Sequence, residues 1–142
     1  MVRRVARAIH LGAAWLFVAC LIVQVFLAGL GVFDDPVAFI THRDFGYLIG
    51  SLTLVLLLAA IVGSLGRRQI GLAVLLMVQF TLQSVFVAMR TESPAVAALH
   101  PVNGFLILLV TWIVARDAWS ERAAMFEEGA AGRSSLESEG TG

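Results

Sequence analysis

Two histidines stand in the same local pattern at distant places in this chain of 142 residues. His42 is followed four residues later by Gly46, and His100 is followed four residues later by Gly104; both segments read H-x-x-x-G-aromatic-L-I. Residues four apart lie on one face of a helix, so each glycine removes a side chain one turn from its histidine. Two imidazoles with cleared space beside them suit axial ligation of a haem iron.

The repeated pattern extends upstream of each histidine. Gln24 precedes His42 by 18 residues and Gln79 precedes His100 by 21, so a helix–loop–helix unit occurs twice. This duplication predicts that the two histidines are equivalent metal ligands and that both glutamines line the same pocket. Arg43, next to the first histidine, is a cationic partner for haem propionates at the membrane surface.

Three other interpretations remain open. A zinc site wants three or four ligands, and the loops offer carboxylates besides the two histidines: Asp34, Asp35, Asp44 and Glu92. A quinone site is a further possibility. The histidines also stand near helix starts, where they can cap helices of a cofactor-free structural or assembly subunit.

These residues resemble one half of the haem A synthase family. The likeness lies in the run from Gln24 to Gly29, in Thr41-His42-Arg43 and in a second histidine that opens a fourth helix, over roughly residues 5–116. Each of the two four-helix halves in that family holds a b-type or related haem through histidines on its second and fourth helices. The resemblance therefore implies haem b. Small bacterial four-helix membrane proteins that share L-H-P-V-N-G, here Leu99 to Gly104, are similar as well.

The chain departs from that family at the residues of its catalytic half. That half carries a glutamate three residues before the helix-two histidine, where this chain has Phe39, and residues 33–41 contain no cysteine pair. The likeness is thus to the non-catalytic, cofactor-holding half. It implies haem binding for electron transfer or haem handling rather than enzymatic activity.

The composition indicates a membrane protein. Hydrophobic residues make up 59% of the chain, charged residues 14%, and mean hydropathy is +0.89, against about 45–50% and about 25% in soluble domains. These values exclude a disordered chain, a nucleic-acid binder and a typical soluble enzyme. The single cysteine, Cys20, excludes an internal disulfide framework.

Four apolar stretches approach the length of about 20 residues that a membrane-spanning helix needs. They cover residues 8–33, 45–65, 70–89 and 95–115. Short links between them predict an all-α, up-down-up-down bundle of four transmembrane helices built from a duplicated two-helix unit, within one domain of residues 1–120. Residues 121–142 are rich in Gly, Ser, Ala and Glu and predict a disordered cytoplasmic tail.

The arginines predict the orientation. The inner ends of the spans carry most of them: Arg3, Arg4, Arg7, Arg67, Arg68, Arg116 and Arg122. The positive-inside rule then places both termini in the cytoplasm of a bacterial plasma membrane and the histidine pair near the outer surface. His10, at the inner end, is expected to pack at the interface. The expected partners are the lipid bilayer, a redox partner or membrane complex, or a second copy of the chain, and no nucleic acid.

Overall fold

A computed structural model describes the backbone of residues 1–139 and the side chains of residues 1–124. The described part is helical, without strands, and its helices are α1 (Val2–Phe33), α2 (Ala38–Val62), α3 (Arg67–Ala88), the single-turn α4 (Pro94–Ala97) and α5 (Leu99–Glu139). Four segments are long and apolar enough to cross a membrane: α1, α2, α3 and Pro94–Ala124. The predicted all-α fold with four spans is confirmed.

The first three helices begin before the predicted apolar spans do. α1 begins at Val2 rather than near residue 8, α2 at Ala38 rather than 45, and α3 at Arg67 rather than 70. Hydropathy identifies only the apolar stretch that suits lipid. The hydrogen-bonded backbone of a helix can continue beyond that stretch through polar residues. As a result, His42 lies inside α2, not before its start.

The last helix extends past the predicted fourth span. Pro94 begins α4, Ala98 interrupts the helix, and α5 continues from Leu99 to Glu139. The backbone is thus helical into the segment for which composition predicts disorder; an existing helix propagates without a new nucleus. Side chains beyond Ala124 and residues 140–142 lie outside the described part of the chain, so the disordered tail stays a prediction.

The four long helices are arranged in chain order around a central axis. α1 packs against α2 and α5, and α3 packs against the same two helices. One diagonal of the bundle is therefore α1 with α3, and the other is α2 with α5. This is the predicted up-down-up-down arrangement, which short connections favour.

Corresponding positions of the first half (α1 and α2) and the second half (α3 to α5) face the interior. On α2 and α5 the buried pairs lie 58 positions apart: Ile49 and Ile107, Thr53 and Thr111, Leu56 and Val114, Ala60 and Ala118. On α1 and α3 they lie 59 positions apart: His10 and Gln69, Ala14 and Ala73, Phe17 and Leu76. The core therefore repeats with the two-helix unit.

Aromatic contacts join the two halves. Trp15 of α1 meets Trp112 of α5 edge to face, with ring centroids 5.3 Å apart. Phe80 of α3 lies 5.8 Å from Phe17 of α1 and covers Gly50 of α2, where a Cβ would approach the ring to 2.8 Å. Such ring pairs contribute about 0.5–1.5 kcal/mol beyond the burial of their area.

Candidate functional site

His42 and His100 face each other across the bundle. They belong to the diagonal helices α2 and α5, and their ring centroids are 6.1 Å apart with the planes inclined at 71°. Two imidazoles that bind one metal ion through nitrogens at about 2 Å have centroids about 6 Å apart. The structure thus brings the two predicted ligands together at a separation that suits a shared metal.

Each imidazole is oriented by the main chain of the preceding long helix. Nδ1 of His42 lies 3.1 Å from the carbonyl oxygen of Gln24, and Nδ1 of His100 lies 3.3 Å from that of Gln83. A carbonyl oxygen only accepts hydrogen bonds, so Nδ1 carries the proton in both rings. Nε2 of a neutral ring then keeps its lone pair, which is the usual state of a metal-bound histidine.

The glycines one turn from the histidines make room for glutamine side chains. A Cβ at Gly46 would lie 2.6 Å from Nε2 of Gln24, and a Cβ at Gly104 would lie 3.3 Å from Nε2 of Gln83. The clearance that the H-x-x-x-G pattern predicts is present, and the two amides fill it.

In the second half, the residue that corresponds to Gln24 is Gln83 and not Gln79. Gln83 precedes His100 by 17 residues, close to the 18 that separate Gln24 from His42. Gln79 lies one turn away on the same face of α3, so the spacing of glutamines along the sequence did not separate the two candidates.

Asn103 of α5 links the two glutamines of α3, as polar side chains between membrane helices commonly do. Its buried Nδ2 donates to the backbone oxygen of Gln79 at 2.8 Å and to Oε1 of Gln83 at 3.0 Å. It stands three residues after His100, on the same helix face. The corresponding residue of the first half is Phe45, which has no polar side-chain atom to offer Gln24.

Two buried glutamine side-chain oxygens have no hydrogen-bond partner among the described residues. They are Oε1 of Gln24 and Oε1 of Gln79. An unpaired buried acceptor costs about 1–3 kcal/mol. Together with the two imidazole lone pairs, these oxygens make the interior rich in acceptors, which suits a metal ion or a hydrogen-bond donor.

Arg43 and Phe39 flank the first histidine. Arg43 forms an ion pair with Asp44 at 2.8 Å, and both side chains are largely exposed. Exposed pairs of this kind contribute little, so Arg43 stays available to another anion. Phe39, which stands where the synthase has its glutamate, meets the ring of His42 edge to face at 6.4 Å.

The structure buries His10 inside the bundle instead of placing it at the interface. Its side chain is inaccessible to solvent, with Nδ1 3.1 Å from the carbonyl oxygen of Leu56 and Nε2 3.4 Å from Oε1 of Gln69. Nε2 of Gln69 is buried without a partner, and turning the amide over would let it donate to the imidazole. His10 thus lies beside a glutamine and not beside a second histidine.

The donor set limits the kind of metal site. Residues 1–124 contain no group of three or more His, Cys, Asp or Glu side chains that could hold a metal ion.

Residues 24–90 are similar to the model of a family of unknown function (DUF6220), a segment that includes His42 and Gln83 but ends before His100. No curated protein and no solved structure matches the chain.

Proposed function

We propose that this protein binds b-type haem between His42 and His100 and serves electron transfer or haem handling. The observation that carries the proposal is the pair of facing rings, each with Nδ1 against a backbone carbonyl oxygen, a contact that selects the tautomer whose neutral form leaves Nε2 free to bind a metal. Two protein ligands suffice for a haem iron because the porphyrin supplies the others, whereas zinc wants three or four.

The residues around the histidines fit a haem if the two glutamine amides turn aside. Gln24 and Gln83 are only partly buried, and their side chains lie against glycines. Oε1 of Gln24 has no hydrogen bond to lose, since no described residue donates to it. The glycines at positions 46 and 104 leave the ligand-bearing helix faces free of side chains there.

Each residue has a distinct task in this proposal. His42 and His100 hold the iron, and the carbonyl groups of Gln24 and Gln83 hold the imidazoles in the ligating tautomer. Arg43 leaves its weak pair with Asp44 to bind a propionate carboxylate. When bound, haem supplies one-electron redox chemistry.

The setting of the site follows from the arginines. We propose a bacterial plasma membrane with both termini in the cytoplasm and the histidines near the outer surface. In a Cys20→Ala background, Asp35→Cys and Ser93→Cys should react with a membrane-impermeant thiol reagent added outside intact cells. Labelling only after permeabilisation contradicts this orientation. The proposed partners are a redox protein or membrane complex at that surface, or a second copy of the chain.

Visible spectra test haem binding directly. Protein expressed with ample haem and purified in detergent should show a Soret band and a low-spin, six-coordinate spectrum after dithionite reduction. His42→Ala and His100→Ala should each give a high-spin or empty site, because each removes an axial ligand. His10→Ala is the matched control: it removes a buried histidine at the other end of the bundle and should leave the spectrum unchanged.

Two results would overturn the proposal. One is colourless wild-type protein under ample haem supply, which favours the cofactor-free structural subunit. The other is low-spin haem retained by the His42→Ala, His100→Ala double variant, which places the haem elsewhere.

A bare transition-metal ion is the second candidate, favoured by the unpaired carbonyl oxygens of Gln24 and Gln79. If both side chains turned towards the histidines, two imidazole nitrogens and two amide oxygens would supply four ligands to such an ion. Colourless protein that carries near-stoichiometric zinc or copper, lost in the double histidine variant, would select this candidate over haem.

A further inference from the structure

The two halves hold their histidines with different numbers of hydrogen bonds. The turn of α5 that carries His100 is joined to α3 by three bonds, one from His100 and two from Asn103. Within the described residues, the corresponding turn of α2 is joined to α1 by one bond, from His42. The difference comes from a single position, because Phe45 stands where the second half has Asn103.

The same position decides how firmly each glutamine amide is oriented. Nδ2 of Asn103 must be the donor because the backbone oxygen of Gln79 only accepts, so Oε1 of Gln83 is fixed as the acceptor. Oε1 of Gln24 has no such donor. The amide beside Gly46 is therefore free to turn and to present either its oxygen or its N–H groups.

We propose that His42 is the exchangeable member of the pair and His100 the permanent one. The inference rests on the proposed haem site. If haem is bound, a small uncharged ligand such as carbon monoxide would take the place of the His42 imidazole, next to Gln24 and Gly46, and His100 would remain bound. No electron or proton is transferred. This departs from the equivalence that the sequence repeat predicts.

The first test uses haem-free protein labelled with ¹⁵N-histidine. The Nδ1–H proton of His42 should exchange with water about tenfold faster than that of His100, because fewer bonds oppose local opening. Phe45→Asn should slow the exchange at His42, and Asn103→Leu should speed it at His100. Equal rates in the wild type, or a faster His100, would overturn the proposal whether or not haem binds.

The second test uses dithionite-reduced, haem-loaded protein titrated with carbon monoxide. Asn103→Leu should raise the affinity for carbon monoxide because it removes hydrogen bonds from the turn that carries His100. Phe45→Asn should lower that affinity about tenfold because it adds a hydrogen-bonding side chain to the turn that carries His42. The carbon monoxide spectrum of wild type should match that of His42→Ala and differ from that of His100→Ala. A match to His100→Ala overturns the proposal.

Matched controls separate local effects from general loosening. Thr53→Val and Thr111→Val change corresponding buried hydroxyls, each bonded within its own helix, and should not alter either measurement. If no haem loads, the proposed function fails while the exchange rates still decide whether the two histidines are equivalent. If haem binds and the exchange rates are equal, haem binding stands and the distinction between His42 and His100 fails.

Discussion

The first and second halves have the same backbone arrangement and differ in the hydrogen bonds that their polar side chains form. Both place a histidine, a glycine one turn on and a glutamine from the preceding helix at the same end of the bundle. Among the described residues, only the second half has Asn103, which donates to Oε1 of Gln83, whereas Oε1 of Gln24, the corresponding oxygen of the first half, is unpaired. The two halves therefore share these positions and differ in the hydrogen bonds around them.

Polar and apolar contacts also divide between the halves in a consistent way. The Nδ1 bonds of all three histidines, the Asn103 bonds and the bond from Arg7 to the Gly63 carbonyl each stay within one half. The ring contacts Trp15–Trp112 and Phe17–Phe80 cross between halves. These hydrogen bonds thus lie within one helical hairpin or the other, whereas the contact between Nε2 of His10 and Gln69 and the aromatic packing join the two hairpins.

The largest expected difference between the halves is at the two glycines. Gly46→Leu and Gly104→Leu should both abolish haem uptake, and Gly104→Leu should destabilise the fold more, because the amide of Gln83 is held by Asn103 whereas that of Gln24 can turn away from the added side chain. Overpacking of this kind costs about 1–3 kcal/mol. Unfolding in a denaturing-detergent titration measures the stability and the Soret absorbance measures the haem uptake. Equal losses of stability and of haem uptake would show that Gly46 and Gly104 are equivalent.

The glutamines should show a smaller contrast. Gln83→Leu removes the acceptor of Asn103 and should lower the free energy of unfolding by about 1 kcal/mol. Gln24→Leu removes an unpaired buried oxygen and should be neutral or stabilising. The same detergent titration compares them, and a greater loss in Gln24→Leu would contradict the assignment of its oxygen as unpaired.

Arg43 tests a difference at the surface, since the corresponding residue of the second half is Pro101. Arg43→Ala should weaken haem binding a few-fold and lower its midpoint potential, because a nearby cation favours the less positive reduced iron. Stability should not change, because the ion pair with Asp44 is exposed. A redox titration and a haem-transfer assay measure both effects; an unchanged potential and affinity argue against the propionate pairing.

The buried threonines should show the smallest effect and no contrast. Thr53 donates to the carbonyl of Gly50 and Thr111 to that of Ile107, each within its own helix. Hydrogen bonds of this size contribute about 0.6 kcal/mol in membrane proteins. Thr53→Val and Thr111→Val should therefore change the free energy of unfolding by similar, small amounts. A large difference between them would mean that the halves diverge in the core as well as at the site.

The sequence predicted the features that depend on periodicity. Apolar runs located the four spans, and the H-x-x-x-G repeat predicted that His42 and His100 would meet on diagonal helices. It did not identify Gln83 as the partner of His100, because Gln79 lies on the same helix face one turn away. Nor did it predict the burial of His10, since hydropathy does not show which side of a helix end faces its neighbours. Haem binding stays a prediction.

The location of the histidine Nδ1 hydrogen bonds within each hairpin has a consequence for biosynthesis. α1 and α2 leave the ribosome first, and the Nδ1–H groups of His10 and His42 find their acceptors inside that pair of helices. The nascent hairpin can therefore reside in lipid with its imidazole donors satisfied before α3 is made. Oε1 of Gln24 and the Nε2 atoms of His10 and His42 are acceptors that still lack a donor at that stage. We expect the second hairpin to dock as a preformed unit, with Trp112 and Phe80 packing against Trp15 and Phe17.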